Sequence, residues 1–178
     1  LSVGTALGRL VQRHPALMVD LSVGDWSELI RRVASGELEL AIADTGVARE
    51  DDRLLAESLP QHKLSFFCRT GHPLASLTAL SLEELRKFPL VGTALPPQLT
   101  ALAAKDMTGM RANLPAGATA PEIRVDTFAL ARRIVMESDA VGAAVPSQIK
   151  DPVARGELVT LPLDLPWLKT GYGIIRLA

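Results

Sequence analysis

Cysteine is almost missing from these 178 residues, and the single Cys68 excludes an internal disulfide. It lies in the apolar run Leu64-Ser65-Phe66-Phe67-Cys68, where a small buried thiol is the ordinary reading and a nucleophile the unusual one. Aromatic residues supply 4% of a chain that is 48% hydrophobic, so the core must be built from Leu, Val, Ile and Ala, as where helices pack on buried strands. Positive charge is not in excess. Lys and Arg number 19 against 20 Asp and Glu, which leaves no basic surplus to neutralise a phosphate backbone, so this chain alone is not expected to grip nucleic acid. No apolar stretch approaches the roughly 20 residues of a membrane span, and the N-terminus lacks the charged region, apolar core and cleavage site of a secretory leader. A cytoplasmic chain without membrane contact fits these absences.

Enzyme signals are poor. The three histidines, His14, His62 and His72, are scattered, and two stand in His-Pro pairs, so no metal-ligand spacing exists. Gly171-Tyr172-Gly173 begins like a dinucleotide fingerprint but has Arg176 where the third glycine belongs. There is no Gly-x-Ser-x-Gly elbow. The expectation is a chain with no catalytic residue, metal or cofactor.

What is present is a repeated plan of strand, capped helix and buried strand. Leu17 to Val23 alternates apolar and polar residues, as a strand does, and Gly24-Asp25 breaks it. Residues 27–35 place Leu29, Ile30 and Val33 on one helical face and Arg31 and Arg32 on the other, with Gly36 where a helix ends in a left-handed residue. A strand follows over Glu37 to Ala43, its apolar face formed by Leu38, Leu40 and Ile42, its other face small. The plan returns near the other end: Glu122 to Val125 reads as a strand, Asp126-Thr127 as a cap, Phe128 to Glu137 as a helix, and Val141 to Val145 as a buried strand ended by Pro146.

Between them, Leu64 to Cys68 is a strand. Ser81 with Glu84 forms a capping box ahead of a helix that Pro89 ends, and Leu90-Val91-Gly92 is a short strand. A helical stretch over 98–106, a loop over 107–121 and strands at 158–163 and 172–177 complete the reading. Asp44-Thr45-Gly46, at the end of Leu40-Ala41-Ile42-Ala43, has the residues of an aspartic protease motif. A helix feeds the strand before it, however, whereas that chemistry sits in all-β lobes, so Asp44 is read as closing a turn.

Taken in order, His14-Pro15, the Val19-Asp20-Leu21 strand, Gly24, Glu28-Leu29 and Ser35-Gly36-Glu37-Leu38-Glu39-Leu40-Ala41-Ile42 resemble the effector-binding domain of LysR-type transcriptional regulators. Gly71-His72-Pro73-Leu74-Ala75, Ser81-Leu82-Glu83-Glu84-Leu85, Val125-Asp126-Thr127 and Ser138-Asp139-Ala140-Val141-Gly142 through Pro146 extend the resemblance along nearly the whole chain. It implies an α/β fold of two Rossmann-like lobes joined by two crossover strands, of the type 2 periplasmic-binding-protein kind. Crossings are expected near Leu64 to Cys68 and Leu158 to Pro162. Lobe I would then hold residues 1–67 and 160–178, and lobe II residues 68–159. Two departures stand out: only Leu1 to Arg13 precede His14, so the family's opening strand and its ligand-contacting loop are absent or abbreviated, and the family's closing helix does not follow Tyr172 to Leu177. The family's N-terminal winged helix-turn-helix is also missing, and the chain is read as a truncated sensor domain.

In open α/β sheets ligands bind beyond the carboxyl ends of strands, where helix N-termini aim unsatisfied N–H groups. The candidates are Asp25, Trp26 and Ser27 from one lobe, and Thr93, Ala94, Leu95, Asp126, Thr127 and Phe128 from the other. Ser27, Thr93 and Thr127 would supply hydroxyls, Trp26 or Phe128 an apolar wall, and Asp25 a carboxylate that repels simple acids and suits hydroxyl or amine groups. Against this stands the ordinary role of Ser27, Asp126 and Thr127 as helix caps and of Trp26 as a loop anchor.

The resulting expectation is a domain that binds a small metabolite between its lobes and controls an absent DNA-binding domain by preferring one lobe arrangement. Its partners would be further copies of itself, as homodimer or homotetramer, through helices resembling residues 28–35 and 128–137, with DNA reached only through the missing helix-turn-helix. A solute-binding protein of a transporter shares the fold and is the alternative, with an enzyme on the same fold a third possibility.

Overall fold

The computed structural model describes residues 3–95, 99–102 and 121–178. The expected loop at 107–121 lies outside the described residues except for Pro121, and of the expected helix at 98–106 only residues 99–102 are described, as helical.

The smaller sheet is built from three strands, β1 (Leu40–Ala43), β2 (Leu54–Ser58) and β10 (Gly173–Leu177), with β10 in the middle and antiparallel to both neighbours. Helix α1 (Val3–Arg13) precedes it, and the short α3 (Thr45–Ala48) follows β1. Helix α2 (Trp26–Ala34) lies on one face of the sheet, where Ile30 and Val33 meet Ala41, Ala43, Leu54 and Ile175. Its outer face carries Arg31, paired with Glu28 at 2.7 Å and Glu37 at 3.0 Å. Gly36 stands past its end at φ 76°, the left-handed position expected there.

Two expectations fail in this sheet. The buried face of β1 is the small one, Ala41 and Ala43, because α2 sits close against it, while Leu40 and Ile42 are 54% and 36% exposed. Residues 17–25 form no strand, and Met18 and Val23 are 93% and 79% exposed. Alternation gives a segment the residues of a strand, but a strand forms only where its backbone groups enter a ladder, and residues 17–25 pair with none of the described strands.

The larger sheet has the order β6-β5-β7-β4-β8, from β4 (Ser65–Arg69), β5 (Leu90–Gly92), β6 (Ile123–Arg124), β7 (Val141–Ala144) and β8 (Leu158–Thr160). Strands β5, β6 and β7 run parallel, and β4 runs antiparallel to β7 and β8. Helix α4 (Leu82–Leu85) begins with the expected capping box, in which the Glu84 N–H donates to Ser81 Oγ at 3.2 Å and the Ser81 N–H to Glu84 Oε2 at 2.9 Å. Helix α5 (Phe128–Glu137) has the expected bounds. Helix α6 (Pro146–Ala154) was not expected: Pro146 ends β7 and also starts a helix, since proline fits the first helical position.

Two short strands, β3 (His62–Lys63) and β9 (Lys169–Thr170), pair antiparallel between the sheets, and Lys63 is ion-paired to Asp164. These are the crossings, in place of those expected at 64–68 and 158–162, and residues 65–67 and Thr160 belong to the larger sheet. The reason is physical. Segment 65–69 reads apolar because it lies inside a sheet covered on both faces, Phe66 and Cys68 facing one core cluster and Phe67 the other. The true crossings are two residues long and polar, and leave no hydrophobic pattern.

Cys68 is fully buried, and burial pushes its thiol up to about 11. At pH 8 roughly one part in a thousand is thiolate, the reactive form. A thiol reagent at that pH is therefore expected to leave the folded protein unlabelled and to label it stoichiometrically in denaturant; fast labelling of the folded chain would contradict this burial.

Candidate functional site

Because β5, β6 and β7 are parallel, their carboxyl ends open on one edge of the larger sheet, and the segments after β5 and β6 leave it side by side. The Val125 N–H donates to the Gly92 carbonyl at 3.0 Å, which ties those segments together. Thr93 is exposed there, and Ala94 is half-buried. Leu95 packs against the core, and its carbonyl accepts from the Thr100 hydroxyl at 3.2 Å. Thr127 is the N-cap of α5, its Oγ1 accepting the Leu130 N–H at 3.3 Å, so its own hydroxyl proton is available for a further acceptor. Asp126 is exposed beside it.

On the smaller sheet's side, α2 is capped by Asp25 and not by Ser27. The Ser27 N–H donates to Asp25 Oδ1 at 2.9 Å and the Ser27 hydroxyl to the same oxygen at 2.5 Å. The Ser27 donor is thus occupied by its own helix. Those two bonds, the hydroxyl's first, hold the Asp25 carboxyl below the usual carboxylate range, and the positive charge of Arg124 adds to the effect. Asp25 caps the smaller sheet's helix, and Arg124 is the last residue of β6 in the larger sheet.

Arg124, whose charge reaches Asp25, is not among the residues that the sequence singles out. It reads as an outward position on a short strand and carries no motif; the available signal was its place just before the Val125-Asp126 turn at a strand's carboxyl end. Two expected wall residues lean into the core instead. Phe128 meets the ring of Phe67 edge-on, centroids 6.0 Å apart, and Trp26 packs against the cluster beneath α2.

Asp44 accepts the Gly46 N–H at 2.9 Å and so closes the turn into α3, which is the bland role expected of the Asp-Thr-Gly sequence. Among the described residues no group of three or more His, Cys, Asp or Glu is placed to hold a metal ion, and no helix is long and apolar enough to cross a membrane.

Two sheets of this kind, with a separate two-stranded ladder between them in the chain, are also found among known proteins. Residues 2–178 match the family described as the LysR substrate binding domain. This chain belongs to that family. The LysR domain is 31% identical over 181 residues to the SDS degradation transcriptional activation protein of a Pseudomonas strain, covering 99% of this chain and 56% of that protein. HinK, a LysR family transcriptional regulator from Pseudomonas aeruginosa, superposes with a TM-score of 0.72 at 19% identity, covering 99% of this chain and 60% of that one. The BenM effector binding domain, solved with its effector benzoate, superposes with a TM-score of 0.68 at 15% identity, over 98% of this chain and 77% of that one. At such identities the structural likeness shows the fold alone, that of the LysR effector-binding domains. The LysR domain spans about half the length of the curated relatives it matches, and those relatives are transcriptional regulators.

Proposed function

We propose that this LysR domain is the sensor of a longer cytoplasmic regulator, binding a small metabolite between its lobes and passing the change in lobe geometry to a winged helix-turn-helix elsewhere in that protein. The observation that carries the reading is that each sheet carries a helix capped by a side chain, α2 at Asp25 and α5 at Thr127, and that α5 begins just beyond the carboxyl ends of the parallel strands. The family match supports a regulator over a transporter's solute-binding protein.

Assembly as a homodimer or homotetramer belongs to the same reading, with α2 and α5 as the contact helices. Leu130 on α5 is 51% exposed and available to such a contact. The open edge of β1 and the exposed apolar residues of 17–23 fit a further strand between them, which a longer chain would supply.

Ligand binding to the native state alone raises apparent stability by RT ln(1 + [L]/Kd), so a saturating effector at 100 Kd contributes about 2.7 kcal/mol. In a thermal-shift screen against organic acids, sugars, sugar acids and amino compounds, at least one class is expected to raise the melting temperature. Thr127→Ala is expected to abolish that shift while lowering the unliganded melting temperature only by the loss of a cap, about 1 kcal/mol. A hit indifferent to Thr127→Ala would place the effector elsewhere.

A further inference from the structure

The larger sheet carries a groove that the interlobe reading does not use. In the order β6-β5-β7-β4-β8, the Asp126-Thr127 turn follows β6 at one end, and the groove lies beside β8 at the other. It forms where α6 packs against β8 and has a volume of about 390 Å³, within the roughly 300–1,000 Å³ of small-molecule sites. Pro146, Ile149 and Val153 line it at the spacing of one helix face, with Ala154 at the helix end and Thr160 on the strand. Ile149 also belongs to the core cluster of Phe67 and Leu158, so the floor of the groove is fixed by packing.

Three polar side chains open on this apolar surface. Lys150 is the one charged residue of the lining, and Ser147, one turn before it, and Thr160 bring hydroxyls. None of the three side chains makes a hydrogen bond or ion pair among the described residues. A surface lysine is ordinary where its stem lies over a flat apolar patch with the ammonium in water. Here the apolar surface is concave and the charge stands in its wall.

Size and charge decide the occupant. A protein interface takes roughly 20–30 residues a side, and seven line this groove. A peptide strand added to the outer edge of β8 would find three residues, with Pro162 two positions on, which makes a poor template. A compact anion would leave the apolar wall in water, and a neutral chain would leave the ammonium without a counter-charge. We propose that the groove binds an amphiphilic organic anion, its straight alkyl chain along Ile149, Val153 and Ala154 and its carboxylate or sulfate head at Lys150. The site is independent of the interlobe one.

The test is calorimetric titration of hexanoate, octanoate, decanoate, decyl sulfate and decanol into the full-length protein, below micelle-forming concentrations. One anion per chain is expected to bind, each added methylene tightening binding by up to about fourfold. The relative affinities of decanoate and decyl sulfate tell the two head groups apart, and decanol should bind about tenfold more weakly than the better of them. Lys150→Gln should weaken the anions by roughly tenfold, the worth of one charge-assisted hydrogen bond, and leave decanol unchanged. Ala154→Leu, at an exposed helix end, should weaken all of them by filling the groove, with the unliganded melting temperature unchanged. Thr127→Ala should alter none of these affinities. Decanol binding wild type as tightly as the anions would overturn the proposal, and so would anions indifferent to Lys150→Gln and Ala154→Leu. Loss of the anions with Thr127→Ala would overturn it as well, by moving them to the interlobe space and leaving the sensory reading standing. Absence of binding by all five compounds to the folded protein would overturn the groove alone.

Discussion

Gly173→Ala is expected to destabilise the domain by about 3 kcal/mol, the upper part of the range for overpacking a filled site. A chain of this size would then melt roughly 6 to 12 °C lower. Gly173 opens β10, the central strand of the smaller sheet, opposite Ala43 on one side and Ser58 on the other. A Cβ there would lie 2.2 Å from Thr45 Cγ2 and 2.6 Å from the Glu57 carbonyl oxygen. The threonine can rotate away. The carbonyl cannot, because Glu57 belongs to β2, which is laddered to β10, and moving it shears the sheet. Urea unfolding checks this: the midpoint should fall with an unchanged slope, since the surface exposed on unfolding is the same. Gly8→Ala in α1 is the contrast, because nothing lies within 4 Å of the added methyl; it should raise stability by about 0.5–1 kcal/mol through helix propensity. Equal melting temperatures for Gly173→Ala and the unsubstituted chain would mean that this sheet opens at little cost.

The contrast between those glycines shows what the sequence made legible and what it hid. Local chemistry was legible where one segment decides its own structure: the Ser81–Glu84 capping box, Gly36 in the left-handed region and the bounds of α5 all follow from side chains reaching their own backbone. What failed depends on partners distant in sequence. Gly173 reads as a fragment of a nucleotide motif and is in fact a contact with Thr45. The alternation of 17–23 suits a strand, but nothing in the segment itself says which edge it joins. The crossings at β3 and β9 were misplaced because a two-residue polar strand has no period. The family resemblance succeeded where these local readings did not because it matched an order of motifs along the chain, each of them weak alone.

His72→Ala is expected to cost the larger lobe about 3 kcal/mol, and His72→Asn about half as much, from the loss of a buried acceptor together with the cavity left by the ring. The imidazole is 3% exposed and works in three directions. Its Nδ1 accepts the Leu74 N–H at 3.0 Å, capping the 3-10 turn Pro73–Ser76, which assigns the proton to Nε2, 3.2 Å from the Asp139 carbonyl. The ring also lies 4.4 Å from that of Phe88. Arg69 reinforces the same junction, donating to the Ser138 carbonyl at 3.2 Å and to Asp139 Oδ1 at 2.7 Å, so the turn from α5 into β7 is held from the β4 side by two residues. Asparagine can keep the cap on Leu74, because its side-chain oxygen is placed much as Nδ1 is, but it is too short to reach Asp139 and cannot fill the space against Phe88. Urea midpoints of the three proteins decide between the contributions. An asparagine variant as stable as wild type would mean that the cap alone matters. One no better than alanine would mean that ring packing and the Asp139 bond hold the turn, and that the polar contact at Leu74 is incidental.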